Sequence, residues 1–236
     1  MKTLIRGALL LSASLGIVSA QAQSVDDIVN KHIDALGGKT VLNSVKSIYV
    51  ESSVEIMGNE APSTTYILTG KGYKSELDFN GTKIIQCVTD QGGWAINPMA
   101  GSTSAQPLPK EQIKSAQLNL SAGGPLMDYA KKGFKAELIG KDSASYKVKL
   151  TGPDGVDITY FIDMKTYMIN KAVNKMSMGG QDMEQSILFS DYKKTNGYSI
   201  PYSQQVVLPQ VTLNIVNKKV EINKDIDPAI FVMPKS

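Results

Sequence analysis

The sequence predicts a mainly β protein with a few helices: a curved antiparallel sheet forming an unclosed half β-barrel, its concave face covered by a helical lid. Three observations carry that prediction. Apolar residues recur with a period of two across most of residues 48–222. Turn signals such as Asn80-Gly81, Gly152-Pro153-Asp154-Gly155 and Asn196-Gly197 separate consecutive strands. Helical periodicity is confined to the N-terminal segment and one insertion, enough to cover one face of a sheet and not two.

The first helix is expected over Ser24–Leu36. Ser24 can cap it, and Asp26 and Asp27 occupy the first turn, where the helix dipole favours acids. Val25, Ile28, Val29, Ile33 and Leu36 make one apolar stripe, with His32 on or beside it, and Gly37-Gly38 ends the run. Val41, Leu42 and Val45 add a further helical turn. From Lys46 the period changes. Ile48, Val50, Val54 and Ile56 alternate with Tyr49, Glu51 and Glu55, and Tyr73, Leu77 and Phe79 alternate with Lys74, Glu76 and Asp78. Segments 62–69, 82–89 and 93–97 complete the first half of the sheet. Residues 99–132 then interrupt it, with a weak helix at 109–120 and a second short one at 126–132. Segments 134–139, 145–150, 156–162, 167–178, 183–192, 200–208 and 211–222 finish the chain, about eleven or twelve strands in all.

Residues 1–22 read as a secretory signal. Lys2 and Arg6 precede the apolar run Ala8–Val18, and Ala20-Gln21-Ala22 supplies the small residues for cleavage after Ala22. The run is shorter than the roughly 20 residues that span a bilayer. Residues 23–236 are therefore expected to form a single periplasmic domain. No cysteine near the cleavage site could carry an acyl anchor, so the protein is expected free of the membrane. A monomer is expected.

Charge and residue counts exclude several functions. The formal net charge is +3, but Lys2 and Arg6 leave with the signal, so 23 basic side chains face 22 acidic ones. Arg6 is the only arginine. The remainder lacks the bidentate phosphate and guanine contacts typical of nucleic-acid binding, and no nucleic-acid partner is expected. With one histidine, a catalytic triad would have to be built on His32, whose helix offers only Asp34 and Ser24 nearby. The single cysteine, Cys87, lies in an apolar run and reads as a buried small hydrophobe. Asp26 and Asp27 suit a helix start, and Asp225-Ile226-Asp227 is too short for a calcium loop. No enzyme, metal or cofactor is expected.

Five segments resemble the LolA/LolB-like superfamily, in particular its outer membrane lipoprotein-sorting type found in bacteria of the Bacteroidetes kind. They are Ala35-Leu36-Gly37-Gly38, Gly93-Trp94-Ala95-Ile96-Asn97-Pro98-Met99, Gly124-Pro125-Leu126-Met127-Asp128-Tyr129, Phe189-Ser190-Asp191-Tyr192 and Asp227-Pro228-Ala229-Ile230-Phe231-Val232-Met233-Pro234. Together they run over essentially all of residues 23–236. The resemblance implies an unclosed barrel with a helical lid over an apolar cavity that shields acyl chains. In such carriers an arginine on the barrel holds the lid by bonding to backbone carbonyls. This chain has none after residue 6.

Two further expectations follow. The cavity should be lined by Ile48, Val50, Val54, Leu77 and Phe79 from the long strands. Ile96, Met99, Leu126 and Met127 should join them around the insertion, with Trp94 near the mouth. The function implied is a carrier or chaperone for acyl chains of lipoproteins or lipids. A non-enzymatic envelope interaction or sensor module, partnered by a membrane protein, is the alternative, and a hydrolase using His32 ranks third.

Overall fold

The computed structural model of the chain describes residues 24–178 and 181–234. The expected signal at 1–22 lies outside the described residues.

Helix α1 (Val25–Leu36) begins as its sequence requires. The Ser24 hydroxyl accepts from the Asp27 backbone N–H at 3.1 Å, and the Asp27 carboxylate accepts from the Ser24 N–H at 3.3 Å, a reciprocal cap. Gly37 ends it at φ 133°, and a Cβ there would stand 2.4 Å from the Gly197 carbonyl oxygen. Glycine is thus required both by backbone angle and by close approach. Helix α2 (Gly38–Ser44) follows at once.

The sheet begins with β1 (Ser47–Ile56), β2 (Asn59–Leu68), β3 (Gly72–Phe79), β4 (Thr82–Thr89), β5 (Gly93–Asn97) and β6 (Ser102–Pro107). Helix α3 (Lys110–Gln117) and a run of turns intervene. Next come β7 (Lys135–Lys141), β8 (Ser145–Thr151), β9 (Asp157–Asp163), β10 (Ile169–Met178), β11 (Gln181–Thr195), β12 (Tyr198–Val207) and β13 (Thr212–Ile222). All neighbours pair antiparallel, in the order β6-β5-β4-β3-β2-β1-β13-β12-β11-β10-β9-β8-β7. The sheet does not close, and β6 and β7 are its edges. β13 pairs with β1, Ile48 facing Ile222, so the two ends of the sheet-forming chain meet at its middle.

Two elements differ from expectation. Ser102–Pro107 continues the sheet where the sequence suggested an interruption, because an edge strand needs backbone bonds to one neighbour and no apolar alternation. Residues 126–132 form turns with one 3-10 turn at Tyr129–Lys132 instead of a helix. Gly124 (φ 58°), Pro125 and Asp128 (φ 52°) prevent a regular start.

Apolar side chains pack on both faces of the sheet. On the concave face Ile28, Ile33 and Leu36 of α1 meet Val148, Leu150, Ile162 and Ile200, with Leu126 joining from the insertion. On the convex face Cys87, Trp94, Ile226 and Phe231 form a smaller cluster. There the C-terminal segment crosses the first half of the sheet.

Candidate ligand cavity

Helix α1 and the 118–126 loop leave part of the concave face uncovered, and a cavity of about 720 Å³ remains. That volume lies within the usual range for small-molecule sites, roughly 300–1,000 Å³. Its sheet wall follows strand parity. Ile48, Val50, Ser52 and Val54 come from β1, Ser63, Thr65 and Ile67 from β2, and Tyr73, Ser75 and Leu77 from β3. Ile84 and Gln86 extend it on β4, and Ile187, Phe189, Leu213 and Ile215 close the far side. A smaller hollow of about 340 Å³ shares Leu118, Ser121, Gly124 and Pro125 with it. The loop is therefore a thin wall between two spaces.

This loop is fastened at several points. The Tyr198 hydroxyl on β12 donates to the Ala122 carbonyl at 2.6 Å, and the Gly70 N–H donates to the Leu120 carbonyl at 2.7 Å. Just after the loop, Lys39 pairs with Asp128 at 2.7 Å, and Tyr129 donates to Asp26 of α1. Burial pushes the Tyr198 phenol up to about 12, so it stays a donor at neutral pH.

The lining is uncharged. Lys, Asp and Glu are absent from the described lining. His32 reaches it from α1, where the ring Nδ1 lies 2.8 Å from the Tyr167 carbonyl oxygen and therefore carries the proton. Burial lowers its pKa, against the raising effect of that bond, which keeps the ring neutral at pH 7. Tyr73, Tyr160 and Tyr192 also line the space, each phenol raised by burial.

Solved structures share this architecture. A LolA superfamily protein from Nitrosomonas europaea superposes with a TM-score of 0.59 at 12% identity, over 89% of this chain and 98% of its own. A DUF1329 family protein from Desulfovibrio piger gives 0.58 at 16%, over 89% and 98%. The fold is LolA-like. A domain named for outer membrane lipoprotein sorting, from Vibrio parahaemolyticus, gives 0.55 at 11%, over 88% and 95%. No protein-family model and no curated protein matches the sequence.

Within this LolA-like frame the expected residues divide. Ile48, Val50, Val54, Leu77 and Leu126 lie together on the cavity. Phe79 shares the parity of Leu77 but stands beyond the cavity wall, opposite Thr82 at the hairpin end. Trp94 and Ile96 face the other way. They pair with Cys87 and Ile85, whose side chains belong to the convex cluster. Trp94 is 5% exposed and its indole N–H donates to the Phe231 carbonyl at 3.1 Å, so it sits under the C-terminal segment and away from any cavity mouth. Met99 is 64% exposed on the 3-10 turn after β5. Met127 packs on the concave core, over Gly123, without lining the cavity.

Other lining residues escaped the sequence reading. Phe189 and Tyr192 belong to a motif that the sequence shows, whereas Tyr198 falls between the Asn196-Gly197 turn and the strand expected at 200–208. The alternation of β11 does not assign both Phe189 and Tyr192 to the cavity, since they are three residues apart with Asp191 at φ 52° between them.

Proposed function

We propose that this protein is an exported, non-enzymatic carrier that shields acyl chains of a lipoprotein or lipid inside its LolA-like cavity. One observation carries the reading: a mostly apolar, uncharged space held between a fastened loop and the concave sheet face. An acyl chain gains roughly 0.8 kcal/mol for each methylene removed from water, which offsets the cost of ordering it in a preformed space. The shared fold of the Vibrio lipoprotein-sorting domain supports the same reading. His32 offers little as a general base, since its protonated nitrogen serves a backbone carbonyl and no acid or nucleophile is bonded to it among the described residues.

The test is mass spectrometry of an organic extract from natively purified protein, with displacement of an apolar dye by ligands of increasing chain length. Lipid in the extract and affinity that strengthens with each added methylene are the expected results. Leu77→Asp, on a half-buried wall position, should weaken binding at least tenfold while leaving the fold intact. A lipid-free extract with no displacement, alongside a stable complex with another envelope protein, would replace the carrier by an interaction module.

A further inference from the structure

The cavity wall is not uniformly apolar, and its polar positions are ordered. On one rung Val50, Thr65, Ser75 and Gln86 stand side by side across β1 to β4. On the next rung the series is Ser52, Ser63, Leu77 and Ile84. The rung beyond Thr65 is apolar, with Ile48, Ile67 and Tyr73, and the opposite flank carries Val54. Two adjacent rungs therefore form a hydroxyl and amide belt between two apolar zones.

Part of this belt is satisfied within the protein. Ser52 donates to Asn217 at 2.8 Å, and Asn217 donates on to the Pro201 carbonyl at 2.9 Å. Ser75 is bonded to Tyr73. Ser63, Thr65 and Gln86 line the space, make no side-chain hydrogen bond to a described residue, and keep their polar atoms open to the cavity. An unspent donor in such a place is available to a ligand. Among the described residues the wall around it holds no cation, and the His32 ring at the helix side is neutral, so a carboxylate or phosphate would lose its water without gaining a counter-charge.

We infer that Ser63, Thr65 and Gln86 form a recognition belt for an uncharged carbonyl linkage, so that the cavity takes acyl esters or acyl amides in preference to free fatty acids. The inference rests on the carrier reading and sharpens its ligand class. The belt lies between apolar zones. A ligand whose polar linkage sits at one point along its length, with hydrocarbon on either side or a neutral group beyond, matches that order. A free acid places a full charge there.

The experiment compares three probes of equal chain length at pH 8, below their aggregation limits: palmitate, glycerol monopalmitate and an N-palmitoyl peptide amide. Each displaces a pre-bound apolar dye from the full chain. The ester or the amide should bind about tenfold more tightly than palmitate, the discrimination of one or two hydrogen bonds made and one charge left in water. Ser63→Ala, Thr65→Val and Gln86→Leu combined should weaken the ester and the amide about tenfold and palmitate much less, so that their lead over palmitate shrinks. If the triple variant fails to fold, as judged by circular dichroism, Thr65→Val alone serves, since it keeps the side-chain volume. The better of ester and amide identifies a glycerolipid or an acylated peptide as the source. Palmitate binding as tightly as the neutral probes, or a variant that keeps the wild-type ratio, overturns the belt and leaves the carrier standing. Failure of all three probes overturns the carrier and the belt with it.

Discussion

Tyr198 and His32 show how single side chains set the state of this cavity. The bond from Tyr198 to the Ala122 carbonyl ties the loop to β12. Tyr198→Phe removes one hydrogen bond, about 1 kcal/mol, and leaves the carbonyl without its partner. Dye should leave the variant several times faster in stopped-flow measurements, and an unchanged rate would show the bond to be structural only. His32 makes a different prediction. Unfolded, it takes a proton near 6.5, while burial in the fold lowers that value. As pH falls below about 6.5 the unfolded chain binds more protons than the folded one, so the stability present above that pH is progressively lost. Urea midpoints should fall between pH 7 and pH 5, and His32→Gln, which keeps a donor for the Tyr167 carbonyl, should flatten that fall. Asp128, Asp142, Asp163 and Glu221 all have lowered pKa values and act at lower pH, outside this window.

At the scale of elements, the C-terminal segment and the insertion have opposite roles on opposite faces. The Phe231 ring lies against Gly72, where a Cβ would come within 2.7 Å of it, and the Phe231 carbonyl accepts from both Trp94 and Cys87. Burial also pushes the Cys87 thiol up to about 11, so it acts as a small hydrophobe. Phe231→Ala should cost about 3 kcal/mol and shift Trp94 emission to the red as water reaches the indole. Ligand affinity should not change, because the cavity is on the other face. Denaturant unfolding followed by fluorescence, with dye titration beside it, separates the two effects. A loss of affinity would mean that the faces communicate.

The whole molecule depends on a pairing between strands far apart in sequence. β13 lies between β1 and β12, and its residues from Leu213 to Ile222 face both ends of β1. Without it the sheet becomes two halves with no strand pairing between them, held by the insertion and by the packing of α1 on the concave face. A chain ending at Leu208 should lose cooperative unfolding, whereas one ending at Asp227 should keep it at reduced stability. Calorimetry distinguishes these, and a cooperative transition in the shorter chain would show that each half folds alone. The unpaired edges fit a protein that stays open. β6 is short, and β7 carries Lys135 and Lys141 with an irregularity at Gly140, features that discourage edge-to-edge association.

Local chemistry made much of this protein legible in sequence. Strand alternation, the Ser24 cap, the Asn-Gly turns and the antiparallel class depend on neighbours within a few residues, and each holds in the structure. The same alternation brought Ile48, Val50, Val54 and Leu77 to one wall, because they sit on long adjacent strands in regular register. Which wall the short β5 presents could not be read that way. Trp94 and Ile96 face the convex side since β5 inherits its parity from Cys87 and Ile85, and a C-terminal segment more than a hundred residues later buries them. The course of the loop, the fastening by Tyr198 and the rank of polar side chains across four strands are likewise tertiary. They arise from register between strands and from contacts between distant segments, which the periodicity of one segment does not contain.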